Sequence, residues 1–399
     1  MFQSKALFLS GKLNCCYYFM KKVLKFKDFE ILDSIRGIAA LFVTIAHCRG
    51  TLWIGGGEFV KMFPRDTWNF WDYIVFGFSM LTRLSVEFVI VFFVLSGFSI
   101  AHSLSSNKSV KDFYLRRLIR IYPSYIVALI WAGLIVLLTR YWHPHWYDGS
   151  LTTFSFERTM PMNSFFEPGV IVRNLFYMTD EKGFIAPFWS LTYEVIFYFL
   201  APFLFRKVNL YIMVSIFLFL INQFLPDFVS SLNIPKYFYN FLFVYNIYFA
   251  LGVGLYSNFE RIKSFFEYVQ KRIFLAATVA SVLMTYALNI YFQVGTVYSF
   301  LSAAVLGILL IIFFLKYQVQ IPWLINIGKF SYTLYIVHYP SIYLYLGIYH
   351  LIFRPETPYI LNYFVWMPAV FFCLAIAYVH YTLVESKTKN ILSRLRAKK

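Results

Sequence analysis

The chain has 399 residues, of which 60% are hydrophobic, 22% aromatic and only 14% charged, and its formal net charge is +17. This composition excludes a soluble domain with an ordinary polar surface. The basic excess does not indicate a nucleic-acid partner, because the basic residues lie between apolar segments, where membrane topology accounts for them. The sequence therefore predicts an all-α integral membrane protein.

Apolar segments long enough to cross the roughly 30 Å core of a bilayer recur along the whole chain. They lie at 31–48, 84–104, 121–139, 186–205, 208–225, 237–257, 273–291, 296–315, 330–352 and 360–384. These segments predict a polytopic bundle of about ten transmembrane helices, with both termini on one side. That side then receives 25 of the 36 Lys and Arg residues and the other side ten, with Arg36 inside the first segment. By the positive-inside rule, both termini are expected to be cytoplasmic.

The chain is expected to form one transmembrane domain at 27–386, flanked by cytoplasmic tails at 1–26 and 387–399. Met20 is an alternative start, which would make residues 1–19 either an artefact or a disordered tail. The cysteines are Cys15, Cys16, Cys48 and Cys373. They have neither metal-ligand spacing nor a disulfide framework, so no metal site and no role for them is predicted.

The first apolar segment, ILDSIRGIAALFVTIAHC, contains the ionisable residues Arg36 and His47. Arg36 and His47 lie within about 20° of one helix face and roughly 16 Å apart along the axis. Charge inside a membrane is costly and usually faces a polar interior, so the pair predicts a polar passage along this helix. The alternative is structural, with Arg36 reaching the headgroups and His47 bonding a neighbouring helix.

The phrase FYLRRLIRIYP precedes the third segment and holds Arg116, Arg117 and Arg120. Arg117 and Arg120 share a helix face, and guanidinium groups at this spacing suit phosphate oxygens such as those of coenzyme A. Taken singly, each of the three arginines is accounted for by anchoring the chain at the cytoplasmic surface.

The longest connection, about residues 140–185, is expected on the outer side, where its aromatic content favours a folded cover over an external site. The next segment, FWSLTYEVIFYF, is expected to place its first polar residues near the outer face. These residues are Trp189, Tyr193, Glu194 and Tyr198. A buried Glu194 would act as a proton partner or as a clamp for a sugar hydroxyl, or it would pair structurally with a His or Arg.

The ninth segment, FSYTLYIVHYP, carries a second polar stripe. Ser331, Tyr335 and His338 recur at i, i+4 and i+7, which places them on one helix face. Packing within the bundle or at the membrane interface is the alternative for Tyr335 and His338.

Taken together, these phrases resemble the acyltransferase 3 family of integral-membrane O-acyltransferases. Its members carry an Arg and a His in the first span, which here are Arg36 and His47. The other matching phrases are FFVLSGF at Phe92–Phe98, RRLIRIYP at Arg116–Pro123, WSLTYEVIFY at Trp189–Tyr198, SYTLYIVHYP at Ser331–Pro340 and a closing Glu385. Their order across nearly the whole chain is more specific than any single phrase.

One position departs from the family pattern. Members usually have an acidic residue about six positions before the Ser of the LSG phrase, and here that position is Ile90. Glu87 lies nearly one turn earlier on the same helix face and is expected to replace it. Some members carry an appended hydrolase-like domain, whereas this chain is expected to complete acyl transfer within its bundle.

The resemblance implies an acyl-CoA donor, most often acetyl-CoA, and no permanently bound cofactor. The implied acceptor is a hydroxyl on a surface polysaccharide or lipopolysaccharide, its glycolipid precursor or another envelope molecule, at the bacterial inner membrane. Arg36 would guide the donor arm, and His47 would act as general base or as a covalent acyl relay. Donor phosphates would be bound by Arg116, Arg117 and Arg120. Substrate-binding residues would be Glu194, Trp189, Tyr335, His338 and Glu87, with Glu194 and His338 on the acceptor side.

Two other classes of membrane protein would also explain part of this pattern of ionisable residues. A transporter or flippase would use the ionisable residues Arg36, His47, Glu194 and His338 as a proton or substrate path without making a bond. The sequence has no repeated halves of the kind such proteins often show. A membrane-bound acyltransferase of another fold would also use a buried His, but it would not need the spacing between Arg36 and His47.

Overall fold

A computed structural model describes residues 26–53, 56–105, 109–147, 165–179, 185–292, 295–354 and 365–388. Within these ranges the chain is almost entirely helical and contains no strand, which confirms the predicted fold class. Most of both predicted tails, together with Cys15 and Cys16, lies outside the described residues.

The helices are numbered here in chain order. They are α1 (Phe26–Leu52), α2 (Gly56–Met62), α3 (Phe70–Leu81), α4 (Ser85–Ser105), α5 (Val110–Trp142), α6 (Pro168–Leu175), α7 (Trp189–Leu204), α8 (Val208–Phe224), α9 (Pro226–Ser231), α10 (Lys236–Tyr239), α11 (Asn246–Ser257), α12 (Phe259–Phe265), α13 (Lys271–Phe292), α14 (Val297–Lys316), α15 (Pro322–Lys329), α16 (Ser331–Phe353) and α17 (Trp366–His380). Asn240–Tyr245 and Tyr381–Glu385 are π-helical. Short 3₁₀ turns lie at Arg65–Thr67, Pro144–Trp146, Ala186–Phe188 and Phe205–Lys207.

Nine stretches of the described chain are long and apolar enough to cross a membrane, so the protein is a multi-pass membrane protein. The sequence analysis predicts ten spans, and the difference lies at Ala186–Phe224, a stretch of 39 residues that contains both α7 and α8. These two helices correspond to the fourth and fifth predicted spans.

The directions of α7 and α8 follow from their contacts with the neighbouring segment that runs from α10 into α11. In α7, Tyr193 accepts a hydrogen bond from Asn240 at 2.9 Å, and Phe197 stacks on Phe249 at 4.4 Å, so α7 runs parallel to that segment. In α8 the order is reversed, because its first half contacts α11 and its last turn contacts α10. The contacts there are Tyr211 with Asn246 at 2.9 Å and Asn222 with Tyr239 at 2.7 Å. Opposite directions make α7 and α8 two separate helices of the bundle rather than one span.

The third long helix begins well before the predicted span at 121–139. The Ser109 hydroxyl accepts a hydrogen bond from the Asp112 amide at 3.3 Å and caps α5, whose first turn also carries the favourable negative charge of Asp112. Consequently Arg117 and Arg120 lie on a continuous helix that enters the bundle. A span assigned from hydropathy alone leaves these arginines out, although the helix includes them.

Two pairs of glycines allow helices to cross at backbone contact. A Cβ on Gly97 of α4 would lie 2.1 Å from the Phe249 carbonyl oxygen, and one on Gly252 of α11 would lie 1.9 Å from the Val94 carbonyl oxygen. The same happens where α1 crosses α15, since a Cβ on Gly328 would lie 1.9 Å from the carbonyl oxygen of Asp33. Small residues at such crossings are how membrane helices gain close packing.

Replacing Gly252 with Ala is expected to destabilise the bundle. The new methyl group overlaps the backbone of α4, and relief requires the two helices to separate, at a cost of about 1–3 kcal/mol. Thermal unfolding of the detergent-purified variant should therefore begin at a lower temperature. Gly77→Ala in α3 is the matched control, because a Cβ there has no heavy atom within 4 Å. Equal unfolding temperatures for the two variants would contradict this crossing.

Part of the predicted outer connection descends into the bundle. Phe165 lies against Gly133 of α5, and the Asn174 carbonyl accepts a hydrogen bond from Tyr125 at 2.9 Å. Gly133 and Tyr125 are eight residues apart on α5, so the segment runs about 12 Å along this helix toward the end at which α5 begins. The described part of the predicted cover is thus a segment that enters the bundle, called here the re-entrant segment. Residues 148–164 and 180–184 of this connection lie outside the described residues.

The re-entrant segment makes α7 start deep inside the protein. Trp189, its first residue, packs edge-on against Phe93 near the middle of α4, with ring centroids 6.3 Å apart. Before it, Tyr177 has a φ of 58°, a strained left-handed conformation for a bulky residue, and its ring stacks on Tyr125 at 4.0 Å. Irregular backbone at membrane depth is tolerated where it is buried in protein or lines a cavity.

Candidate active site

A cavity of about 800 Å³, including its open mouth, lies among α4, α5, α7 and α16 with Arg36 of α1 at its edge. It is on the side of the bundle at which α1 begins and α4 ends, the end that the charge distribution predicts to be cytoplasmic. Its charged lining residues are Arg36, Arg117, Arg120 and Glu194. Three guanidinium groups and one carboxylate give the cavity a net positive charge.

Arg36 is held from two sides. One guanidinium nitrogen donates to the Asp33 carboxylate at 2.7 Å, and the other donates to the Ser99 hydroxyl of α4 at 2.8 Å. Asp33 is one turn before Arg36 on α1, so helix geometry brings the two together. The structural alternative, in which Arg36 only reaches the headgroups, does not describe this arrangement, because the side chain bonds α4 inside the bundle.

Of the three arginines on α5, Arg117 and Arg120 line the cavity, while Arg116 is not among its lining residues. The Arg117 guanidinium lies 5.3 Å from the ring centroid of Tyr198 and 5.6 Å from that of Phe113. Contacts of a cation with aromatic faces fix its position without using all of its hydrogen-bond donors. Arg117 is thus oriented by α5 and α7 together.

Glu194 shares the cavity with these arginines. One of its oxygens accepts hydrogen bonds from Ser96 at 2.8 Å and from Tyr198. The sequence analysis places Glu194 near the outer face on the acceptor side, and the structure places it beside the predicted donor arginines instead. The physical reason is the re-entrant segment, which starts α7 at the middle of the bundle and so moves Glu194 toward the other end.

The aromatic residues predicted beside Glu194 do not line the cavity as a group. Trp189 packs against Phe93 and against Tyr245, and Tyr193 bonds Asn240. Tyr198 is the one of this set that lines the cavity, next to Arg117. Trp189 therefore packs between helices.

His47 and His338, 291 residues apart in the chain, form a pair at the contact of α1 with α16. Nδ1 of His47 lies 2.9 Å from Nε2 of His338, and the two rings are nearly parallel. His338 is fully buried, whereas His47 is partly exposed. Neither histidine lines the arginine cavity. The two polar stripes of the sequence analysis thus meet at their histidines.

The hydrogen bonds of His338 determine where the protons of the pair reside. Its Nδ1 lies 2.8 Å from the Tyr335 carbonyl and 3.1 Å from the Leu334 carbonyl, which can only accept, so this nitrogen carries hydrogen. In the neutral ring, Nε2 is then an acceptor, and His47 must donate to it from Nδ1. The lone pair of neutral His47 is consequently on Nε2, which has no hydrogen-bond partner among the described residues. An imidazole held in this tautomer can take a proton from a hydroxyl group.

Two aromatic rings lie between the cavity and the histidine pair. Tyr335 and Phe92 both line the cavity and contact each other edge-on at 6.2 Å. The other side of Tyr335 faces His338, with ring centroids 5.8 Å apart. The Tyr335 hydroxyl is bonded to Ser190 at 2.6 Å and to the Pro187 carbonyl at 2.7 Å. Tyr335 is therefore a wall of the cavity, anchored by the re-entrant segment.

Two thiols for which the sequence predicts no role lie behind the histidine pair. The Sγ atoms of Cys48 and Cys373 are 4.0 Å apart, both residues are buried, and Cys373 donates to the carbonyl of His338 at 3.5 Å. Cys48 follows His47 in α1, but Cys373 is distant in sequence, so no local signal could have predicted their proximity.

Two further predicted residues lie away from both the cavity and the pair. Glu87 is buried and accepts a hydrogen bond from Asn289 of α13 at 2.7 Å, on the side of α4 that faces away from the cavity. Glu385 is buried after α17, where it accepts from Thr333 at 2.5 Å. The expected replacement of the family acid by Glu87 therefore does not bring a carboxylate into the cavity.

Sequence reasoning missed Ser96, Ser99 and Asp33, which hold Glu194 and Arg36. Ser96 and Ser99 recur at helical spacing in the FFVLSGFSI phrase, on the face that also carries Phe92. A polar stripe in an otherwise apolar helix was the available signal.

Known proteins resemble this chain in sequence. The profile of the acyltransferase domain family, acyltransferase 3, matches residues 29–384. A relative, acyltransferase MdmB of Streptomyces mycarofaciens, is 33% identical over 135 residues, which cover 32% of this chain and 30% of that protein. No solved structure matches the chain. Since the profile covers nearly the whole bundle, the chain belongs to the acyltransferase 3 family of membrane acyltransferases.

Proposed function

We propose that the protein transfers an acyl group, most often acetyl, from cytoplasmic acyl-CoA to a hydroxyl of a surface glycan, its lipid-linked precursor or another envelope molecule. The observation that carries the proposal is the histidine pair, which leaves a basic nitrogen on His47 close to an arginine-lined cavity. The bacterial inner membrane, which faces both cytoplasmic donor and envelope acceptor, is the proposed location.

The donor end of the reaction would use the cavity. Arg117 and Arg120 would bind the phosphates of coenzyme A, because guanidinium groups form charge-assisted hydrogen bonds with phosphate oxygens. Arg36 would meet the pantetheine arm or the thioester carbonyl. Glu194 has acceptor capacity that suits the amide N–H groups of that arm, so we assign it to the donor rather than to the acceptor.

The chemical step follows from the tautomer of the pair. Nε2 of His47 takes the proton from the acceptor hydroxyl, whose oxygen attacks the thioester carbonyl carbon. The tetrahedral intermediate collapses, the carbon–sulfur bond breaks, and the thiolate of coenzyme A takes the proton back from His47. His338 accepts the Nδ1 hydrogen throughout and holds the ring in place, as the orienting partner does in other base-assisted acyl transfers.

Transfer also requires the thioester to pass the wall formed by Tyr335 and Phe92. An acyl-CoA bound in the cavity with its phosphates at the arginines would direct its acyl end at these rings, which line the same cavity. Either the rings turn aside or the acyl arm passes between them before it reaches His47. Binding of the donor and approach of the thioester to the base are therefore separate steps.

The proposal is tested by acetyl-CoA turnover of the detergent-purified protein, measured as release of free CoA with and without crude envelope glycolipid. We expect release that increases when the glycolipid is present and an acylated lipid or glycan of matching mass. Donor binding without turnover under any acceptor condition would contradict the proposal.

Replacing His338 with Phe is expected to lower kcat about tenfold, because the Nδ1 hydrogen of His47 loses a neutral acceptor worth about 1 kcal/mol or more. The KM for acetyl-CoA should stay unchanged, since His338 does not line the cavity. His338→Gln serves as the matched variant, because its amide oxygen can accept the same hydrogen and should restore part of the rate. No difference between Phe and Gln at this position would show that His338 acts only in packing.

A further inference from the structure

Helix register brings two arginines together at the end of the bundle opposite to the cavity. Arg36 of α1 bonds Ser99 of α4, and six residues later Phe42 stacks on Phe88 at 4.3 Å, so the two helices are antiparallel. Arg49 is two turns beyond Phe42 and on the same helix face. Continuing the register places Arg49 beside the start of α4.

Arg83 lies at this place, in the turn between α3 and α4. The two guanidinium groups are close enough to repel each other electrostatically, and Arg49 is also within electrostatic range of His47. Both arginines are partly buried. Two like charges thus lie at the same end of the bundle, on the predicted outer side of the histidine pair.

Neither arginine forms an ion pair with a described residue. Nε of Arg49 is buried and has no hydrogen-bond partner among the described atoms. Glu87, one turn after Arg83, bonds Asn289 instead. Partly buried positive charges without a counter-ion are costly, and such sites are commonly filled by an anionic ligand.

Aromatic residues cluster at this end of α1. Trp53 follows Arg49 by one turn at the end of α1, and its ring contacts Phe59 at 5.4 Å and Phe76 at 6.2 Å. A low-dielectric surrounding strengthens the attraction between a guanidinium group and an anion. Phosphate and carboxylate groups both match the planar fork of Arg.

We propose that Arg49 and Arg83 form an anion site that holds a phosphate or carboxylate group of the acceptor while a hydroxyl group of the same molecule is presented to His47. The inference rests on the proposed function and narrows its substrate class to acidic glycans or phosphate-bearing glycolipids. The anion would anchor the acceptor on one side of α1 while its hydroxyl meets the base on the other.

The test uses three soluble probes, octyl glucoside, octyl glucuronide and a phosphorylated octyl glucoside, bound to the full-length protein carrying His47→Ala. Equilibrium binding then needs no turnover. We expect the charged probes to bind at least about tenfold more tightly than the neutral one, because charge-assisted hydrogen bonds are stronger than neutral ones. Arg49→Gln and Arg83→Gln should each remove this preference and leave octyl glucoside binding unchanged. The stronger of the two charged probes identifies the anion as carboxylate or phosphate.

Arg65→Gln is the matched control, because Arg65 is an exposed arginine in the same connection between α1 and α4. Retained acetyl-CoA binding in the cavity shows that each variant is folded. Equal binding of charged and neutral probes, or a preference that survives both substitutions, would overturn the anion site. Charge-dependent binding by this protein, combined with wild-type protein that transfers no acyl group to any probe or to envelope glycolipid, would leave the site standing and refute the acyltransferase proposal.

Discussion

His47→Ala is expected to abolish acyl transfer while the protein still binds acetyl-CoA. Removal of the base leaves the acceptor hydroxyl protonated when it meets the thioester, and general-base assistance is worth about 10²- to 10⁴-fold in rate. Donor binding should persist because His47 does not line the arginine cavity. The measurement is CoA release with envelope glycolipid, together with equilibrium binding of acetyl-CoA to the same preparation.

His102→Ala is the control for loss of a buried imidazole. His102 lies in α4 and contacts the hydroxyl of Tyr256 at 3.2 Å, away from both the cavity and the pair. Its removal should change stability more than turnover. If His47→Ala kept the wild-type rate, the pair would be structural and the base assignment would fail.

An experiment without the acceptor distinguishes the covalent role of His47 from its role as a general base. An acyl relay would leave radiolabelled acetyl on the wild-type protein and none on His47→Ala, with free CoA released in a single turnover. A general base forms no such adduct. The tautomer of His47 with its lone pair on Nε2 is suited both to a general base and to an acyl relay. The labelling experiment therefore decides between these two roles.

Arg117→Gln is expected to raise the KM for acetyl-CoA by about 10- to 100-fold, because it removes a charge-assisted contact with a phosphate worth about 1.5–3 kcal/mol. S-acetylpantetheine, which has no nucleotide phosphates, should react equally well with wild type and variant. The comparison of the two donors separates loss of phosphate binding from general damage to the cavity.

Arg116→Gln provides the matched variant, since Arg116 is the preceding residue on α5 and does not line the cavity. It carries the same charge and the same predicted role in topology. Equal effects of the two substitutions would indicate that these arginines act only by anchoring the helix. Equal effects of Arg117→Gln on both donors would assign it a packing role through Tyr198 and Phe113.

Hydropathy and length predict the spans well, because a bilayer imposes about 20 apolar residues on each crossing helix. The same signals fail where a helix continues past its apolar part, as α5 does before residue 121, and where an irregular segment enters the bundle. The re-entrant segment before Trp189 carries no hydropathy signal, and its omission is why Glu194 was expected at the wrong end of the bundle.

The site could be predicted only in part. Helical periodicity identifies Arg36 and His47 as one stripe and Tyr335 and His338 as another. It does not show that His47 pairs with His338 while Arg36 opens into a separate cavity, since that depends on how α1 packs against α16. Glu87 has the right chemistry and nearly the right spacing, but it bonds Asn289 of α13, on the side of α4 that faces away from the cavity.

The most direct test of acyl transfer across the bundle uses inside-out membrane vesicles supplied with acetyl-CoA radiolabelled in the acetyl group. The proposed function predicts covalently bound label on a glycan or glycolipid of the vesicle interior, with unlabelled CoA remaining outside, and no label with His47→Ala. Intact acetyl-CoA or free acetate accumulating inside the vesicles, without any acylated product, would contradict it and favour transport.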